Sequence, residues 1–324
     1  RVRVRRYPRV SADLRGAEAV ATTPPPVART LAVPLALGLV YVFWGSTAPA
    51  MKIAVASIPA FAMVSLRFAV AGSLLWLWCR YRNVALPTAR EWRGAALTGL
   101  ILLVASNALF AWAIHYMPSG IGALFFALSP LWMAIIGFGL YRERLAALGM
   151  FGLALGLAGM LYLYSPTGGQ HLPLVPALLG VFCSMAWALG SMLQRRLAAS
   201  DVVQMSAMQM LVAALALAAI AWCSGERLMP AEFTPSALGA LGYLIVFGSI
   251  VGFSAFLWLM NNVPTTLAST YAYVNPIVSL AIGVGFLHEI FDWHLALGST
   301  LIVAGVAAMM LAPRPTHVAT PNSR

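Results

Sequence analysis

The chain has 324 residues, 61% of them hydrophobic and 9% charged, with a formal net charge of +11. Soluble domains carry roughly one charged residue in four, so a water-exposed surface is excluded and a polytopic membrane protein remains. The positive charge lies in a terminal tail and short loops, the pattern of membrane topology rather than of nucleic-acid binding.

Residues 1–30 are basic, contain a triple proline and have no apolar run, which predicts a disordered tail. The first apolar run is longer than a signal-peptide core, and no cleavage motif follows it. From there, runs of about 20 mostly apolar residues predict ten helical spans. They lie at 31–51, 58–79, 94–116, 119–140, 145–164, 173–193, 202–223, 236–260, 265–287 and 293–312. Residues 313–324 form a second tail. The reading is an all-α membrane protein, with no cofactor or metal implied. The three cysteines, Cys79, Cys183 and Cys223, are scattered and give no disulfide or ligand spacing.

The chain contains one stretch twice. Residues Phe110–Gly159 align without a gap on Phe256–Gly305, 146 positions later. Pro118 falls on Pro264, Pro130 on Pro276, Glu143 on Glu289, and Gly152 and Gly159 on Gly298 and Gly305. Shared Pro, Gly and Glu in register are not a product of apolar composition, so the two halves are repeats. The first spans match as well, with Trp44 on Trp187 and Lys52 on Arg195. The halves are 31–164 and 173–312, joined by the linker SPTGGQHL.

With both termini in the cytoplasm, seventeen of the twenty Lys and Arg lie on the cytoplasmic side, as the positive-inside rule requires. Five spans per half is an odd number. The second half therefore crosses the membrane upside down, as in the inverted repeats of secondary transporters.

Several residues stand out inside the spans. Arg67 is a charge near the middle of span 2, with no acidic residue within two turns. A charge at that depth is functional by default, or else it binds backbone carbonyls of a neighbouring helix. Pro130 and Pro276 each remove a backbone donor and free the carbonyls of Phe126 and Ala272. Ser129 and Asn275 precede them and add polar atoms. Trp44, Trp132, Trp187, Tyr271 and Tyr273 lie deep enough to line a pocket or to pack helices, whereas Trp76, Trp78, Trp92, Trp222 and Trp293 sit near span ends as belt residues. Asn107 is the polar residue of span 3 best placed for a cavity, while His115, Gln204 and Gln209 read as helix-bridging groups. Glu143 and Glu289 each precede a span and are expected to favour that span's N-terminus. Gly149, Gly152, Gly156 and Gly159 make a close-packing face on span 5, either within the monomer or between monomers, so a homodimer stays open at this point.

The sequence LVYVFWGSTAPAMK, the triplet Leu66–Phe68, the segment PSGIGAL, the SP and YVNP motifs and the two glycine-rich final spans together resemble the drug/metabolite transporter superfamily. The likeness is to ten-helix permeases built from two EamA domains, and it covers nearly everything after residue 30. It implies a carrier of small organic metabolites in the inner membrane, with amino acids leading and general drug or metabolite efflux or uptake as the alternative. Because the Leu66–Phe68 triplet recurs across carriers of many solutes, the resemblance favours a structural role for Arg67. An intramembrane enzyme is disfavoured, since HEIFD lacks the second His of a zinc motif. A non-transporting scaffold would have no use for an inverted duplication.

Overall fold

The computed structural model describes residues 26–141, 146–164, 173–194, 197, 201–227, 232–263, 267 and 270–312. Among them every regular element is helical. Span 1 is Pro26–Gly45 and Thr47–Ala54, and span 2 is Ala60–Tyr81. Span 3 begins as Ala89–Gly99, loosens to a π-helix at Leu100–Ala108 and ends through Leu109–Ala113 and Ile114–Tyr116. Span 4 is Ser119–Ala127 and Ser129–Tyr141, and span 5 is Ala147–Tyr164. Span 6 is Leu174–Gln194 and span 7 is Val202–Cys223. Span 8 repeats the pattern of span 3, with Pro235–Tyr243, a π-helix at Leu244–Val251 and Gly252–Asn262. Span 9 includes Tyr271–Leu287, and span 10 is Trp293–Leu311. Seven of these ten are long and apolar enough to cross a membrane, and the other three are shorter apolar helices.

Local sequence fixes the ends. Span 3 opens on a capping box, in which Thr88 accepts from the Glu91 amide and the Glu91 carboxylate accepts from the Thr88 amide. Thr234 caps span 8, with Pro235 at its first position. Asp201 accepts from the Gln204 amide at the start of span 7. Span 1 starts earlier than its apolar run, at Pro26, whose missing N–H costs nothing in a first turn.

The repeat is visible in the backbone. Span 2 ends with Asn83 at φ 56° and span 7 with Gly225 at φ 73°. After Asn83 the Val84 amide bonds to the Cys79 carbonyl, and after Gly225 the Glu226 amide bonds to the Ala221 carbonyl. The two helix ends are the same turn. Packing follows the same two-fold relation. Spans 2 and 7 pack together, as do 4 and 9, and 5 and 10. Span 1 lies on spans 8 and 9, and span 6 lies on spans 3 and 4. Two inverted five-helix repeats thus interlock around a common axis.

The glycine face of span 5 is spent inside the monomer. A Cβ at Gly159 would stand 2.9 Å from the Ile302 amide nitrogen, and one at Gly305 would stand 2.5 Å from that of Gly156. Two helices in lipid gain nothing from excluding water, so such backbone-to-backbone approach is what holds them.

Glu289 departs from expectation. It does not serve the span that follows it, where Asp292 accepts from the Leu295 amide at 2.7 Å instead. His288 takes the left-handed conformation at the end of span 9, and the Glu289 amide bonds back to the Gly283 carbonyl. That turn sends the Glu289 carboxylate across to the other half, onto the N-terminus of span 4. There it accepts from the Ser119 amide at 2.7 Å, the Ser119 hydroxyl at 2.9 Å and the Gly120 amide at 3.4 Å. The preference of a carboxylate for a helix N-terminus holds, but the helix is a different one. Glu143, its counterpart in the first half, lies outside the described residues.

Candidate functional site

Residues of spans 1, 2, 3, 4, 6, 7, 8 and 9 line one cavity. The space open to the centre of a water molecule is about 100 Å³, in the range of a cavity that holds one benzene-sized molecule. Both halves contribute, and the repeat pairs their positions. Trp44 faces Trp187, with ring centroids 5.8 Å apart and nearly perpendicular. Leu103 and Asn107 of span 3 occupy the positions that Ser249 and Phe253 occupy in span 8, and all four line the cavity. Phe126 and Ala272, one turn before the paired prolines, also line it.

Seven aromatic residues contribute to the walls. Trp44 meets Tyr271 edge-on at 5.3 Å, Phe126 meets Trp187 at 6.0 Å and Phe110 meets Phe126 at 4.7 Å. These rings are fixed by polar ties at their edges. Trp44 Nε1 donates to the Gly248 carbonyl at 3.1 Å, and Trp187 Nε1 donates to the Tyr271 hydroxyl at 3.4 Å. The Gly248 carbonyl lies within the π-helical stretch of span 8, a local geometry that often marks functional segments. Gly248 and Gly252 are needed for the fit, since a Cβ at Gly252 would stand 2.7 Å from the Trp44 ring.

Against this apolar lining stands one charge. Arg67 is buried, and its Nε donates to Ser249 Oγ at 2.8 Å. Its Nη1 finds no partner among the described residues, and neither do Asn107 Oδ1 and Asn275 Oδ1. Among the described residues no carboxylate lines the cavity. The second half repeats the tie but not the charge. At the matching place in span 7, counted from the shared helix end, Gln209 donates to Thr98 Oγ1 of span 3 at 2.7 Å, and Gln209 is not part of the lining. Arg67 therefore lines the cavity, has a structural bond to the neighbouring span and keeps one buried nitrogen without a hydrogen-bond partner among the described residues.

Of the residues singled out from sequence, Trp44, Arg67, Asn107, Trp187, Tyr271, Asn275 and Pro276 line this one space. Ser129, Pro130 and Trp132 fall outside the lining. Ser129 turns its hydroxyl back to the Phe126 carbonyl at 2.7 Å, so the carbonyl expected to be free is taken by its own helix. Trp132 Nε1 donates to Ser184 Oγ at 3.0 Å and ties span 4 to span 6. Span 4 breaks at Leu128, and Pro130 sits in the first turn of its second segment, whereas Pro276 lies within the continuous helix of span 9. The Tyr273 side chain lies outside the described residues. Ser249, Phe253 and Phe110 also line the cavity and were not among the site candidates from sequence. The repeat register could have found Phe253, because it stands where Asn107 stands.

Family models and relatives agree with this architecture. The inner membrane transporter YedA of Escherichia coli K12, named as uncharacterized, is 37% identical over 286 residues, spanning 85% of this chain and 90% of YedA. The uncharacterized transporter YvbV of Bacillus subtilis is 23% identical over 273 residues, covering 84% of this chain and 89% of YvbV. A crystal structure whose chain is 22% identical matches with a TM-score of 0.62 over 86% of this chain and 96% of that one, which bears on the fold. The model of the EamA-like transporter family matches residues 31–165 and 174–311, the two halves that the duplication and the two-fold packing delimit. With both repeats matched and a shared cavity between them, the chain belongs to the EamA-like transporter family and is a multi-pass membrane transporter.

Proposed function

We propose that this transporter carries an amino acid, or a compound sharing its carboxylate and ammonium groups, by alternating access at the central cavity. One observation carries the reading. Arg67, Asn107 and Asn275 line one cavity, and each has a buried side-chain atom, Nη1, Oδ1 and Oδ1, with no hydrogen-bond partner among the described residues. Leaving such groups buried without partners costs about 1–3 kcal/mol each, and more for the charge. Rotation of these side chains toward the cavity would let a bound zwitterion place its carboxylate on the guanidinium and its ammonium on the amide oxygens. The aromatic walls then take the side chain and offer π faces to the ammonium. The volume of about 100 Å³ favours a compact solute in this conformation.

The placement of basic residues supports a topology with both termini in the cytoplasm, and the relative YedA supports an inner-membrane location. Counterflow in proteoliposomes tests the solute class. Vesicles preloaded with unlabelled amino acids should accumulate the labelled one, and the corresponding amino-acid amides, which lack the carboxylate, should fail to compete. Equal competition by acid and amide would remove Arg67 as the anchor and with it the amino-acid reading.

A further inference from the structure

Glu289 brings together three spans from the two halves at the membrane face where span 1 ends. Besides its bonds to Ser119 and Gly120, its carboxylate lies 3.3 Å from Lys52 Nζ near the end of span 1. Lys52 also donates to the Met117 carbonyl at 2.8 Å, just ahead of span 4. Ser279 of span 9 adds a bond to the Ser119 carbonyl at 3.2 Å. Gly283 makes the approach feasible, since a Cβ there would collide with the Glu289 carboxylate. The Glu289 side chain is only 10% exposed, so this is a shielded cluster rather than a surface pair.

Its position gives it a role. Met51, beside Lys52, lines the central cavity, and so does Ala123, one helical turn from Ser119. On the other side, Lys52, Pro118 and Glu289 line an open vestibule at the surface. The cluster therefore lies between the cavity and that face. Contacts elsewhere between the halves differ in kind or place. The seam of spans 5 and 10 includes backbone against backbone, and the Glu226 carboxylate accepts from the Phe61 and Ala62 amides at the start of span 2, away from the cavity lining. Ion pairs beside water exchange for bonds to water at modest net cost, and the Glu289 cluster is the one set between the cavity and the vestibule.

We propose that Glu289, with Lys52 and the Ser119–Gly120 amides, is a releasable latch that shuts the cavity from the face where span 1 ends. The proposal rests on the alternating-access reading above, but not on the identity of the solute. An impermeant methanethiosulfonate reagent tests it, applied from that face to membranes carrying the full chain with an Ala123→Cys reporter. Modification is read peptide by peptide by mass spectrometry with the native cysteines in place. Glu289→Gln, which keeps an acceptor and loses the charge, should raise the reporter's labelling rate about tenfold. Lys52→Met should act in the same direction and serves if Glu289→Gln fails to accumulate. The rate at Cys223, exposed at the end of span 7, should stay constant. Unchanged reporter labelling in both variants, with normal thermal unfolding, would overturn the latch while leaving any measured counterflow intact. Raised labelling in a protein without amino-acid counterflow would uphold the latch and sink the solute assignment alone.

Discussion

Replacing Arg67 by Met separates a binding role from a structural one. Among the described residues the side chain makes a single hydrogen bond to protein, from Nε to Ser249 Oγ at 2.8 Å, whose loss costs about 1 kcal/mol. Ser249 sits in a helical run, where its hydroxyl can turn back to a carbonyl of the preceding turn, so the orphaned partner is recoverable. Against that cost, the change removes a buried charge with an unpaired Nη1. Burial of an ion without compensation costs several kcal/mol, and apolar replacements of buried charges are often stabilising. The solute-free variant should therefore be more stable than the parent, by on the order of 2 kcal/mol. Binding should move the other way. A hydrogen bond to a charged group is worth about 1.5–3 kcal/mol, which corresponds to a roughly 10- to 150-fold weaker Kd for the acid. The amino-acid amide should bind parent and variant nearly alike, which closes a double cycle on the carboxylate–guanidinium pair. Thermal unfolding in detergent with and without solute reads both halves of the prediction. A variant that is less stable without solute, yet binds the acid unchanged, would show that Arg67 is a structural strut and would refute this reasoning.

Other substitutions follow from the same geometry. Asn107→Asp places a carboxylate in the cavity that holds the unpaired guanidinium, so it should weaken the acid by about tenfold or more without lowering solute-free stability, as read by isothermal calorimetry and unfolding. Trp187→Ala strips an edge-on contact with both Trp44 and Phe126 and should cost about 1–3 kcal/mol of solute binding, largest for solutes with aromatic side chains, in a competition series. Gly305→Val drives a branched side chain into the Gly156 backbone and should abolish accumulation of folded protein, scored by fluorescence-detected size exclusion, whereas Gly285→Ala, where the added Cβ meets open space, should be tolerated.

Much of the fold was legible because membrane spans are written in length and hydropathy, and the observed helix ends fall within a few residues of the apolar runs. The depth of Arg67 could also be read, since no registration error moves it out of span 2. What remained hidden depends on which span neighbours which. Ser249 as the partner of Arg67 requires spans 2 and 8 to touch. Glu289 was assigned to the following span because in sequence that is the nearest N-terminus, and only the packing of span 9 on span 4 brings Ser119 within reach. The paired prolines were expected to act alike. They do not, because Ser129 can bond its own helix at Phe126 while Asn275 lines the cavity and its oxygen has no hydrogen-bond partner among the described residues. The π-helical segments of spans 3 and 8 have no proline or charge to announce them, although both halves contain one at matching depth. The glycine face of span 5 was legible as a packing surface, but its partner, span 10, was not.

The pairing of Arg67 with Gln209 has a directional consequence. The architecture is nearly two-fold, yet only one half places a cation at the axis. Under the amino-acid reading proposed above, a solute with two distinct ends would have one preferred pose, its acidic end toward span 2, and the carrier would read the same end of its cargo whichever face is open.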